Sequence, residues 1–170
     1  GPAKPGPGGA SAFTVREGSA TPAGSDPSAS RKPGDVAPAG VEMLPDGGQP
    51  VRFGDDDRSV TVLPGSRFVL RERDGIRVVE LLGPGGVEMR CRTAPLELTV
   101  DTTVVTMPYL EAGEAPRPAS IRGTVTADGT LKLEVLSAAV RVGNPAIVPP
   151  EPVPEGTVVV VPRNGKIRRE

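Results

Sequence analysis

Few side chains in this sequence could carry chemistry. It has no histidine and a single cysteine, Cys91. Imidazole is the group that titrates near neutrality, so its absence removes Ser–His and Cys–His nucleophile pairs and the common zinc ligand sets together. No Gly-x-Ser-x-Gly elbow, phosphate-cradling Gly-rich loop or dinucleotide fingerprint occurs. Only carboxylates are left to act, and the expectation is a protein that is not an enzyme and takes no cofactor. The acidic run Asp55-Asp56-Asp57 offers the hard oxygens that calcium prefers. A calcium loop needs further ligands at set spacing, however, and Arg58 follows with the opposite charge. The run reads as a solvated hairpin tip without a metal. Cys91 alternates with Val87 and Met89, which predicts a buried, inert thiol in place of a redox or lipid site.

Arginine is the reactive type that clusters. Arg67, Arg71, Arg73, Arg77, Arg90 and Arg92 lie on neighbouring β-compatible runs and form a candidate protein-binding wall. Glu72, Glu80 and Glu88 stand close enough to neutralise that wall through cross-strand pairs, each worth roughly a few tenths of a kcal/mol. Partner surface and self-neutralised sheet face are the two readings. A second candidate surface is the Val/Pro-rich stretch from Ile147 to Val161, where a partner could add a strand. A sugar-binding module would need an exposed aromatic platform, which only Tyr109 or Phe13 could supply.

The elements that must position these residues are strands. From Val41 onward, turn signals recur at Asp46-Gly47-Gly48, Gly54-Asp55, Pro64-Gly65, Asp74-Gly75, Gly83-Pro84-Gly85-Gly86 and Ala94-Pro95. Between them sit β-branched runs at 59–63, 68–70, 76–82, 87–91 and 96–100. Further runs follow at 120–126, 131–136, 139–142 and 157–161. Short runs at spacings of about 8–12 residues mark an all-β fold, β-solenoid-like or sandwich-like. Alternation places Val87, Met89, Cys91, Leu96, Leu98 and Val100 on an apolar face, opposite Glu88, Arg90, Arg92, Glu97 and Thr99. Phe68 and Leu70 likewise point away from Arg67, Arg71 and Arg73, with Val69 on the charged side. The segments 19–33 and 111–118 read as loops, and Pro149–Pro154 as a proline-rich bridge. The unbroken Val158-Val159-Val160-Val161 suggests a strand buried on both faces, or one prone to aggregate if uncovered.

Composition bounds the rest. The expected division is a flexible leader and tag scar over 1–12, a single β domain over 13–162 and a tail over 163–170; Gly1-Pro2 matches the remnant of a cleaved affinity tag. Twenty basic and 21 acidic residues give a net charge of −1 and no electrostatic case for nucleic acid. No apolar run approaches the ~20 residues that span a bilayer. A membrane attachment would therefore lie outside this sequence.

The order of these pieces resembles the FecR domain of bacterial envelope sensors and regulators. The elements that carry the likeness are Lys32-Pro33-Gly34-Asp35, Phe53-Gly54-Asp55-Asp56-Asp57 and Val60-Thr61-Val62-Leu63-Pro64-Gly65-Ser66-Arg67. They continue through Val79-Glu80-Leu81-Leu82-Gly83-Pro84-Gly85-Gly86-Val87, Ser137-Ala138-Ala139-Val140-Arg141-Val142 and the closing Gly156-Thr157-Val158-Val159-Val160. The likeness runs from Phe13 to Val161. The strand after Leu81-Leu82 is poorer in aromatics than is usual in the family, and 111–118 has no family counterpart. The resemblance implies a periplasmic or otherwise extracytoplasmic location and no catalytic residues. It also implies signalling by docking a protein partner in the envelope. The alternative is a scaffold domain of an envelope assembly, which would self-associate.

Overall fold

The structure, a computed structural model, describes residues 10–115 and 117–170. It is almost entirely β, and the strands form two large sheets around one apolar core. In chain order the strands are β1 (Ala10–Glu17), β2 (Ala20–Pro22), β3 (Val36–Pro38), β4 (Met43–Pro45), β5 (Val51–Gly54) and β6 (Arg58–Val62). Next come β7 (Phe68–Arg73), β8 (Ile76–Leu81), β9 (Gly85–Cys91), β10 (Leu96–Val100), β11 (Thr103–Met107) and β12 (Ala119–Val125). The last are β13 (Leu131–Ser137), β14 (Val140–Asn144), β15 (Ile147–Val153), β16 (Val158–Val161) and β17 (Arg168–Arg169).

Sheet I has the order β17-β16-β13-β12-β9-β6-β5-β1-β3, and sheet II the order β15-β14-β11-β10-β8-β7-β4-β2. The chain therefore passes back and forth between the sheets, usually one hairpin at a time, while advancing from β2/β3 at one end to β15/β17 at the other. That winding combines features of the solenoid and the sandwich: two open sheets face each other, with no closed barrel. The pair β8–β10 is the parallel exception. β9 crosses in sheet I between them, so β10 re-enters sheet II in the direction of β8, as a crossover connection requires.

The period-2 pattern is what closes the core. Val60, Val62, Val87, Met89, Cys91, Ile121, Leu131 and Leu133 from sheet I meet Phe68, Leu70, Val79, Leu96, Leu98, Val105 and Val142 from sheet II, all buried. Its aromatic content is one edge-to-face run, Phe13–Phe53–Phe68, with ring centroids 6.4 and 5.6 Å apart. Each such contact adds about 0.5–1.5 kcal/mol to the area buried.

Several expectations change. β1 begins at Ala10, inside the expected leader; residues 1–9 of that leader lie outside the described residues. The expected tail contributes β17, which pairs Arg168 with Val160 and Arg169 with Val159. The expected loop over 19–33 holds β2 and a 3-10 turn at Pro27–Ala29, because Ala20 is buried and bridges Pro45 and Arg31. The proline bridge is strand β15. It can be one because it lies at the edge of sheet II, where the N–H groups that Pro149, Pro150 and Pro152 lack cause little loss of pairing. The valine run of β16 alternates: Val159 and Val161 are buried, while Val158 and Val160 sit half-buried on the outer face. The segment 108–118 carries no strand among its described residues.

Candidate functional site

The six candidate arginines do not share one wall. Arg67, Arg71, Arg73 and Arg77 belong to sheet II and its incoming turn, whereas Arg90 and Arg92 belong to β9 of sheet I and the turn after it. Alternation is a property of each strand alone, and the chain changes sheet between β8 and β9, a switch the turn residues did not reveal.

On the outer face of sheet II, Arg71 stands opposite Val78 and pairs with Glu80 at 3.3 Å. Arg73 reaches from β7 to β10, where both oxygens of Glu97 accept from its Nη2 at 2.8 Å. That carboxylate is only 5% exposed although it points outward. Val69 and Val78 are buried on the same face, outside the central core. Arg67 donates to the Leu82 carbonyl at 2.9 Å and lies 3.5 Å from Glu42. The face thus sets two buried valines among arginines, Arg71 standing directly opposite Val78.

Arg77 has a different place. Its register partners are Glu72 and Leu96, which puts it on the inward side of β8 at the end of the sandwich. Its Nη1 donates to Asp55 Oδ2 at 2.9 Å, and its Cζ lies 5.5 Å from the centroid of the Phe13 ring. The side chain is 12% exposed, so Arg77 fastens sheet II to sheet I and offers little to a partner.

The acidic turn is a knot, with the carboxylates of Asp55 and Asp57 already engaged. Asp55 Oδ1 accepts from the backbone of Asp57 and Arg58, both at 2.8 Å. Burial opposes ionisation of Asp55, yet these donors and Arg77 outweigh it and hold its pKa below the ordinary value. Asp57 accepts from the backbone of Thr93 and Ala94 and from the Thr93 hydroxyl. The Thr93 N–H is the largest cause of its lowered pKa. Gly54 makes the turn possible: at φ +136°, a Cβ there would lie 1.9 Å from the Arg58 carbonyl oxygen. Cys91 is buried behind this knot, and burial pushes its thiol up to about 11, well away from a reactive thiolate. Arg90, on the outer face of sheet I, stands between Ser59 and Ser120. Neither Arg90 nor Arg92 forms an ion pair among the described residues.

Sequence reasoning missed one feature. Tyr109 follows β11, and its N–H donates to the Ala139 carbonyl at 2.7 Å, which ties it to the start of β14. There the Arg141 guanidinium lies over the tyrosine ring, 4.6 Å from its centroid. Two hollows border on Tyr109. One, of about 420 Å³, is bordered by Pro95, Thr106, Pro108, Leu110 and Arg141; the other, of about 350 Å³, by Glu111, Glu114, Arg117, Pro152 and Pro154. Tyr109 was recognisable as a platform, but its pairing with Arg141 depends on the β11–β14 register, which joins segments more than thirty residues apart.

No protein-family model, no curated protein and no solved structure matches this chain.

Proposed function

We propose that this chain is a non-catalytic protein-binding module of the bacterial envelope, acting as a sensor or relay that docks a partner protein. The observation that carries the reading is the outer face of sheet II, where buried Val69 and Val78 stand among Arg67, Arg71 and Arg73. Arginine set among apolar side chains is the composition that non-obligate interfaces favour. The FecR-like order of elements between Phe13 and Val161 supports an extracytoplasmic setting and a signalling role. Of the six candidate residues, Arg67 and Arg71 form the proposed contact: each side chain is about half exposed, Arg71 paired weakly with Glu80 and Arg67 with Glu42 and the Leu82 carbonyl.

The test is a crosslinking pull-down from envelope extract, comparing the unaltered chain with Arg67→Glu/Arg71→Glu. Arg73 is left in place, because reversing it would set a second carboxylate against buried Glu97. One partner recovered at constant stoichiometry and lost in the reversed variant is the expected result. Recovery mainly of the chain itself, with a mass in solution that rises with concentration, would overturn the relay in favour of the scaffold.

A further inference from the structure

We propose that the Tyr109–Arg141 slot is a second binding site, taking an extended peptide segment in which a carboxylate adjoins proline or a small aliphatic side chain. The inference goes beyond the sheet II docking face and stands whether or not Arg67 and Arg71 bind anything.

The argument starts from the row of residues across the outer face of sheet II. Register places Val78, Glu97, Thr106, Arg141 and Pro152 side by side on five neighbouring strands. The acid of that row, Glu97, is buried and committed at both oxygens to Arg73, which comes from the opposite direction. Arg141 is thereby left without an acidic partner among the described residues. Its guanidinium lies over the tyrosine ring, which favours that position by about 0.5–1 kcal/mol. A stacked guanidinium keeps its N–H edge available, since the ring occupies only its face.

The hollow beside this edge has a matching composition. Pro95, Pro108 and Leu110 give it apolar walls, and Arg141 is its one charged lining residue. A ligand that fits must be apolar over most of its contact and carry one negative group at the guanidinium. Proline suits the walls because its ring packs against tyrosine and proline faces, and an extended chain has little entropy left to lose. The other hollow bordering Tyr109 carries Glu111, Glu114 and Arg117 and lacks that single-sign character. The carboxylate is therefore assigned to the Arg141 side. The charge complementarity singles out an acidic, proline-bearing segment of a partner protein.

The test is an array of extended octapeptides, each with one central Glu or Asp flanked by Pro, Val or Leu, and each with an amide twin. A subset should be retained, the acid favoured over its twin by about tenfold, as befits one charge-assisted contact. Arg141→Gln, an exposed change checked by thermal melt, should erase the acid–amide difference. Tyr109→Ala should abolish retention, and Arg67→Glu/Arg71→Glu should leave it unchanged. Retention of neither member, equal retention of both, or an acid preference that survives Arg141→Gln would overturn the assignment. Glycan retention dependent on Tyr109 with no acid preference among the peptides would overturn it too, giving the slot to a sugar.

Discussion

Two arginines of this sandwich lie over an aromatic ring, in opposite electrostatic circumstances. Arg77 covers Phe13 at the end of the core, is almost wholly enclosed, and is matched by Asp55. Arg141 covers Tyr109 on an exposed slope and is matched by no acid among the described residues. The same local pairing does different work because of what completes it. An acid supplied from sheet I turns the first into a clamp between the sheets. The second has no acid among the described residues to complete it, and the nearest acid of its row, Glu97, is engaged by Arg73. Burial sets the scale: a cation over a ring is worth about 0.5–1 kcal/mol when exposed and about 2 when desolvated.

That contrast is broken most directly at Arg77. Arg77→Ala removes a shielded charge and strands Asp55, so a loss of about 2–3 kcal/mol is expected, read by urea unfolding at neutral pH. The figure is kept below the range for fully buried pairs because Asp55 is 39% exposed. Arg141→Ala should lose only about 0.5–1 kcal/mol under the same conditions. Equal losses would mean that the two stacks do not differ as argued.

Glu97 is the next largest effect, and it sharpens the account of why Arg141 is unmatched. Glu97→Gln keeps the shape but turns an amide N–H₂ toward Arg73 in place of a second acceptor. A loss of about 1–2 kcal/mol is expected from the charge-assisted pair. If Glu97→Gln unfolds at the same urea concentration as the parent, the pair does not hold Glu97 in place, and the reason given for its unavailability to Arg141 fails.

Little of the clamp is legible in the sequence, where Arg77 reads as part of an outer wall and Asp55 as part of a solvated tip, and almost none of the slot is. The inward faces of β7, β9 and β10 follow from alternation, and the buried state of Cys91 follows from its place beside Val87 and Met89. Gly54 and Asp55 mark a turn, since only glycine tolerates that backbone. The run reads as a solvated tip, however, and the donors from Arg77, Thr93 and Ala94 that make it a knot come from segments no local signal connects to it. The assignment of strands to sheets was not legible. Arg77 and Arg90 look alike in a strand pattern, yet one enters the core's end and the other stands on an outer face. β2, β3 and β15 were missed because proline and alanine carry little strand propensity, and tertiary pairing overrode it. Tyr109 and Arg141 meet through register between distant segments, for which a single sequence carries no local signal.

Acid titration probes the clamp side of the contrast with an effect of about 1 kcal/mol. Asp55 and Asp57 have folded pKa values below the ordinary one of 3.8. Carboxylates lowered by folding contribute stability that is fully present above the unfolded pKa and lost as pH falls through the folded one. Stability from these groups should therefore be level down to about pH 4.5 and fall below that. Asp57→Asn should be less stable at pH 6 and show a shallower decline between about pH 4 and pH 2. A parallel decline in both proteins would remove Asp57 as a source of the acid sensitivity.

The smallest expected effect belongs to the slot and concerns spectroscopy more than stability. Tyr109 is the sole tyrosine and the chain has no tryptophan, so its near-ultraviolet absorbance reports on this place against a background of phenylalanine alone. Removing a cation from 4.6 Å above the ring alters the field across it without touching the backbone tie to Ala139. Arg141→Gln should change the tyrosine difference spectrum with a loss of stability no larger than about 0.5–1 kcal/mol. Arg77→Ala should do the reverse, with a lower midpoint and a native-state tyrosine spectrum that does not move. If Arg77→Ala shifts that native spectrum, the two stacks are mechanically linked through sheet II, and the slot cannot be treated as independent of the clamp.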